Sequence, residues 1–186
     1  ISEDGVGDGW TGSGDITATV EVTDNGDGTL NTNVTYTDNK TITNTYKAEG
    51  TAVIKVTKAL AGAEWPAGKT LTFTLQGQGG TLPSKRTQTL TAEGSVAFDA
   101  IKYTEADAGE TYTYTISEDG FGAGWTDSGD ITATVKVTDN GDGTLGTKVT
   151  YTPDTATVTN TYKAQGAAVL EVTKKLAGVD WPSGKN

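Results

Sequence analysis

ISEDGFGAGWTDSGDITATVKVTDNGDGTLGTKVTY, residues 116–151, also heads the chain, where residues 1–36 read ISEDGVGDGWTGSGDITATVEVTDNGDGTLNTNVTY. Within the later copy, DITATVKVT (130–138) alternates apolar and polar side chains, and DNGDG (139–143) separates it from a second alternating run. Period-two alternation puts successive side chains on opposite faces of a strand. Asn and Gly supply the positive φ of a tight hairpin turn. The stretch therefore reads as a β-hairpin that the chain uses twice.

The same period governs what lies between the copies. Thr70–Leu75 reads TLTFTL and Glu110–Ser117 reads ETYTYTIS, rich in the Thr, Tyr and Phe that suit half-buried strands. Only EADAG (105–109) looks briefly helical. Several such strands in about 115 residues predict an all-β fold, an immunoglobulin-like sandwich of two sheets.

The repeat also sets the domain organisation. After a one-residue insertion near Pro153, TNTYKAEG (43–50) matches TNTYKAQG (159–166), and AVIKVTKALAGAEWPAGK (52–69) matches AVLEVTKKLAGVDWPSGK (168–185). The expected layout is a tandem array opening and closing in mid-repeat: residues 1–46 end one unit, 47–162 form a complete one, and 163–186 begin a third. Only KAEG (47–50) and KAQG (163–166) stand between units, too few residues for a floppy tether, so a stiff rod is expected.

Composition narrows the function. Net charge is −10, which makes nucleic acid and anionic membrane surfaces poor partners. Cys, Met and His are absent, so there is no disulfide framework, no thiolate or imidazole for a metal, and no histidine base. No cofactor is expected. DNGDG lacks the spacing and closing glutamate of an EF-hand, and it reads as a turn. Paired carboxylates such as Asp127 and Asp130 sit in Gly-rich turns, where solvated turn residues are the ordinary reading.

Alternation places three polar residues on apolar faces. Ile54, Val56 and Leu60 share a face with Lys58, while Lys55 and Thr57 point the other way; Leu170, Val172 and Leu176 repeat the pattern around Lys174. Position 55 becomes Glu171 in that copy, which marks Lys55 as the replaceable surface lysine. Tyr112, Tyr114 and Ile116 are followed in register by Glu118, and Ala156, Val158 and Tyr162 enclose Asn160. Asn44 sits likewise between Ile42 and Tyr46. An unpaired buried charge costs several kcal/mol, so these groups must find partners or neutralise. Two outcomes fit. One is a buried Lys–Glu ion pair with an Asn hydrogen bond, which alternation alone favours. The other is chemical: burial lowers a lysine and raises a glutamate, and the neutral amine attacks the asparagine carboxamide.

The ordered set VTKALAG (56–62), WPAGKTLTFTL (65–75), YTEADAGETYTYTISEDG (103–120), VTDNGDGTL (137–145) and VTNTY (158–162) resembles the streptococcal-type pilin isopeptide-linkage domains, grouped with the CnaB-like folds of Gram-positive pilins and adhesins. The resemblance covers the complete unit and both partial ones. It implies a bond between a first-strand lysine and a last-strand asparagine, assisted by a glutamate: Lys58, Asn160 and Glu118. It thereby reverses the order of the two outcomes. Glu3, Asn44 and Lys174 are the partial-repeat equivalents, whose complements fall outside this stretch. The implied function is a structural stalk of an extracellular pilus or cell-wall-anchored adhesin, a self-crosslinking protein with no turnover. Its partners are neighbouring repeats and fibre subunits. Lys47 and Lys163 are candidate donors for joining subunits, although no LPXTG-like sorting signal occurs in the sequence. The alternative is a ligand- or glycan-binding adhesin domain, in which Trp65, Trp125, Trp181 and Trp10 would stack on sugars. Their recurrence at fixed places in each copy favours packing instead.

Overall fold

A computed structural model describes residues 1–37, 39–180 and 182–184; Trp181 lies outside the described residues. The first copy forms β1 (Trp10–Gly12), β2 (Ala18–Asp24), β3 (Leu30–Tyr36) and β4 (Asn44–Tyr46). Then come β5 (Glu49–Ala52), β6 (Lys55–Ala61), β7 (Leu71–Gln78), β8 (Thr87–Leu90), β9 (Gly94–Ala97) and β10 (Ile101–Thr104). One turn of 3-10 helix, Glu105–Asp107, leads into β11 (Thr111–Glu118), β12 (Trp125–Thr126), β13 (Ile131–Asp139), β14 (Leu145–Thr152) and β15 (Thr157–Tyr162). That turn falls where EADAG breaks the alternation. The described residues form no α-helix.

Two sheets carry the fold. The larger runs β14-β13-β11-β7-β8, with every neighbouring pair antiparallel. The smaller runs β12-β15-β6-β9, and within it β15 and β6 lie parallel. Alternation is what lets the sheets share one core. Leu75, Phe73, Tyr114, Ile116, Ile131, Ala133, Val135 and Val137 come from the larger sheet, Val56 and Val158 from the smaller, and Ile54 from the short link just before β6. The threonines between them stay partly or fully exposed. The all-β expectation holds, and the arrangement is consistent with an immunoglobulin-like sandwich.

Three local readings need correction. Glu49 and Gly50 belong to β5, which pairs with β10 from Glu49↔Thr104 to Ala52↔Ile101. Ala48 before them is fully buried, so KAEG is built into the fold instead of lying between folds. Ala156 precedes β15 in the left-handed region (φ 47), and Tyr162 is 36% exposed, so neither shares the core face with Val158. Leu170, Val172 and Leu176 lie in a segment without regular structure and are exposed. A strand needs ladder partners, and β15 and β9, which flank β6, have no counterpart beside that segment.

Candidate functional site

β6 and β15, far apart along the chain, lie side by side, with Lys58 opposite Val158 and Asn160 opposite Leu60. Residues two apart on a strand share a face, so Lys58 and Asn160 both turn into the space between the sheets. Each is 1% exposed, and they are the two buried polar or charged residues among those described. Glu118 arrives from the opposite sheet as the last residue of β11. Asp119 pins that strand end: its carboxylate accepts from Thr72 N at 2.6 Å, and its own N–H donates to Thr72 O at 3.1 Å.

The structure therefore gathers Lys58, Glu118 and Asn160. Lys58 Nζ stands 3.4 Å from Glu118 Oε2 and donates to the carbonyls of Ala59 (2.9 Å) and Val158 (3.1 Å). Asn160 Nδ2 donates to Glu118 Oε1 at 2.6 Å. Two buried acceptors, Glu118 Oε2 and Asn160 Oδ1, have no hydrogen-bond donor. Burial pushes Lys58 below the usual lysine range, against the opposing pull of Glu118. Burial likewise pushes Glu118 up, with the Asn160 hydrogen bond and Lys58 opposing. Both shifts favour the same transfer, a proton passing from the ammonium to the carboxylate.

An aromatic group covers this end of the core. The Phe121 ring centroid lies 5.7 Å from Lys58 Nζ. Phe121 packs edge-on against Trp65 at 5.0 Å and tilted against Trp125 at 4.7 Å. Trp65 Nε1 donates to Lys69 O at 2.9 Å, and Trp125 lies against Tyr162 at 5.1 Å. Of the tryptophans considered as sugar platforms, Trp65 and Trp125 are thus engaged in packing near the cluster. Sequence reasoning missed Phe121. Its signal was the one aromatic change in an otherwise near-repeated motif, since the first copy carries Val6 in its place.

The partial copies fare differently. Asn44 Nδ2 donates to Glu3 Oε1 at 2.8 Å, the same contact as Asn160 to Glu118, but in solvent and, among the described residues, with no lysine in it. Lys174 lies in the exposed segment without regular structure. The DNGDG turn uses its acids as turn acceptors: Asp139 Oδ1 takes Gly141 N at 2.8 Å and Asp142 Oδ1 takes Thr144 N at 3.0 Å.

A family model, FctA, described as a Spy0128-like isopeptide containing domain, matches residues 1–47 and 54–163. No curated protein matches the chain.

Proposed function

We propose, for a chain that belongs to the FctA family of Spy0128-like isopeptide containing domains, that Lys58 and Asn160 become joined by an isopeptide bond formed with the help of Glu118. On this reading the chain is a length of extracellular bacterial stalk or pilus, made of tandem CnaB-type immunoglobulin-like repeats. The family is structural and not one of catalysts with turnover, in keeping with a reaction that runs once per unit. The observation that carries the reading is the buried contact of one carboxylate with both a lysine amine and an asparagine amide.

The chemistry follows from the placement. Glu118 takes a proton from Lys58, leaving a neutral amine and a neutral acid in a site where separated charges are costly. The Lys58 nitrogen lone pair attacks Asn160 Cγ, forming the new C–N bond and a tetrahedral centre. A half-turn of the carboxamide, whose terminal torsion is soft, sets Oδ1 against the protonated carboxyl, which polarises it. As the centre collapses the old C–N bond breaks, Glu118 relays one proton from the attacking nitrogen to the departing one, and the latter leaves as ammonia. The product is one secondary amide in place of a primary amide and an amine. Phe121, Trp65 and Trp125 keep bulk water off the site, which sustains both pKa shifts.

Intact mass tests this. The purified chain should weigh one ammonia less than its sequence, and Glu118→Ala should restore the full sequence mass. A wild-type mass equal to the sequence would overturn the bond and leave an ion pair with an amide hydrogen bond.

A further inference from the structure

Where the first copy meets the larger unit, three residues hold a turn. Tyr46 Oη donates to Asp139 Oδ1 at 2.7 Å and accepts from Gly143 N at 3.3 Å. Gly9 lies so close to Gly143 that a Cβ on Gly9 would come within 2.6 Å of Gly143 Cα. Lys47 N donates to Gly9 O at 2.9 Å, and Glu49 N to Gly143 O at 3.2 Å. The Trp10 ring leans on Tyr46 at 5.1 Å and 48°. Gly9, Trp10 and Tyr46 are a socket, and Asp139–Gly143 is the turn seated in it.

Both halves occur twice. Trp125 leans on Tyr162 at 5.1 Å and 48°, Lys163 N donates to Gly124 O at 2.9 Å, and a Cβ on Gly124 would meet Tyr162 Cε2 at 2.7 Å. A Cβ on Gly9 would meet Tyr46 Cε2 at the same 2.7 Å. The second turn, Asp24–Gly28, is held like the first: Gly26 N donates to Asp24 Oδ1 at 2.9 Å, and Asn25 Nδ2 to Thr29 Oγ1 at 2.9 Å. Around the occupied socket Ala48 is fully buried, whereas its counterpart Ala164 is exposed.

We infer that the face made by Gly124, Trp125 and Tyr162 is a socket for the Asp-Asn-Gly-Asp-Gly turn of a following repeat of this same kind, closed by the tyrosine hydroxyl on the first aspartate of that turn. The inference rests on the tandem-repeat part of the proposed function and not on the isopeptide bond. The occupant is set by the occupied socket: the same glycine, tryptophan and tyrosine, at the same spacing, already hold this turn once. The two glycines are needed because backbone meets backbone with no room for a Cβ. Each joint then seats the turn of the next repeat through the tyrosine's two hydrogen bonds and the glycine–glycine approach, and adds no linker.

The test keeps the whole chain and lengthens it by a copy of residues 71–162, which completes the last repeat. Hydrogen exchange read by mass spectrometry then follows the turn of the added copy. That turn should be protected as the Asp139–Gly143 turn is. Tyr162→Phe should speed its exchange about tenfold, as expected for a lost hydrogen bond to a charged group, without changing the turn at 139–143. Tyr46→Phe should do the reverse. An added turn that exchanges equally fast with Tyr162 or Tyr162→Phe would overturn the socket. Intact mass on the same samples reports the isopeptide bond separately, so either idea can fail alone.

Discussion

Residues 1–46 and 116–162 are nearly the same sequence folded twice, and they differ in what covers them. Both make a hairpin, β2–β3 and β13–β14, closed by the same turn. Both place a tryptophan on a tyrosine at 5.1 Å and join a glutamate to an asparagine, at 2.8 Å in one and 2.6 Å in the other. Yet Val20 and Val22 are each 57% exposed where Val135 and Val137 are fully buried, and Glu3–Asn44 is wet where Glu118–Asn160 is dry. Local sequence sets strand, turn and hydrogen-bond pairing. The proposed reactivity depends on the cover supplied largely by 52–121, because burial is the largest cause moving the lysine and the glutamate toward neutrality.

The largest effect that would break this comparison is removal of the paired asparagines. Asn160→Ala should lower stability to guanidinium by about 4–5 kcal/mol, the loop-closure worth of a crosslink spanning roughly 100 residues on the disulfide analogy. Asn44→Ala, at an exposed site, should change the midpoint by less than about 0.5 kcal/mol. Equal effects would show that burial does not separate the two copies.

A second pair isolates the joint. Gly28 and Gly143 have φ of 86° and 84°, so the left-handed strain of an alanine, about 1 kcal/mol, cancels between them. A Cβ on Gly28 meets nothing within 4 Å, whereas one on Gly143 meets Gly9 Cα at 2.7 Å. Native-state hydrogen exchange, which reads each hairpin's own opening free energy, should find Gly143→Ala costlier by about 1–3 kcal/mol. Equal costs would mean that the contact with Gly9 contributes nothing.

Much of this was legible in sequence, and the limits have physical causes. Alternation places Ile54, Val56 and Lys58 inward because a strand's faces are fixed by its backbone, and it does the same for Tyr114 and Ile116. It could not show that β6 runs parallel to β15, since that pairing joins residues 100 apart along the chain. It misjudged Tyr162 because the last turn of β15 runs past the core and meets Trp125 outside it. It misjudged Leu170 and Val172 because alternation describes a face and says nothing of whether another element covers it. The tripartite polar cluster was readable from three separate faces, but its aromatic cover was not, as Phe121 lies in a loop with no periodicity to read. The role of the cluster remains the proposal that intact mass tests.

The smallest expected effect sharpens the likeness of the copies. In each turn the threonine hydroxyl, then its backbone N–H, holds an aspartate below its ordinary value of 3.8: Thr29 on Asp27 and Thr144 on Asp142. A carboxyl depressed in the fold adds stability above its unfolded value, and that stability is lost as pH falls below 3.8 through the folded value. Carboxyl NMR titration should find both aspartates depressed alike, since both are fully solvent-exposed and bound in the same way. A clear divergence would mean that the joint, and not the turn's own sequence, sets their environment.

The parallel pairing of β6 and β15 has a mechanical consequence. The chain enters β6 at one end of the pair and leaves β15 at the other. Pulled from its two termini, the pair is loaded in shear, so its rungs must give way together, whereas an antiparallel pair pulled from one end opens like a zipper, one rung at a time.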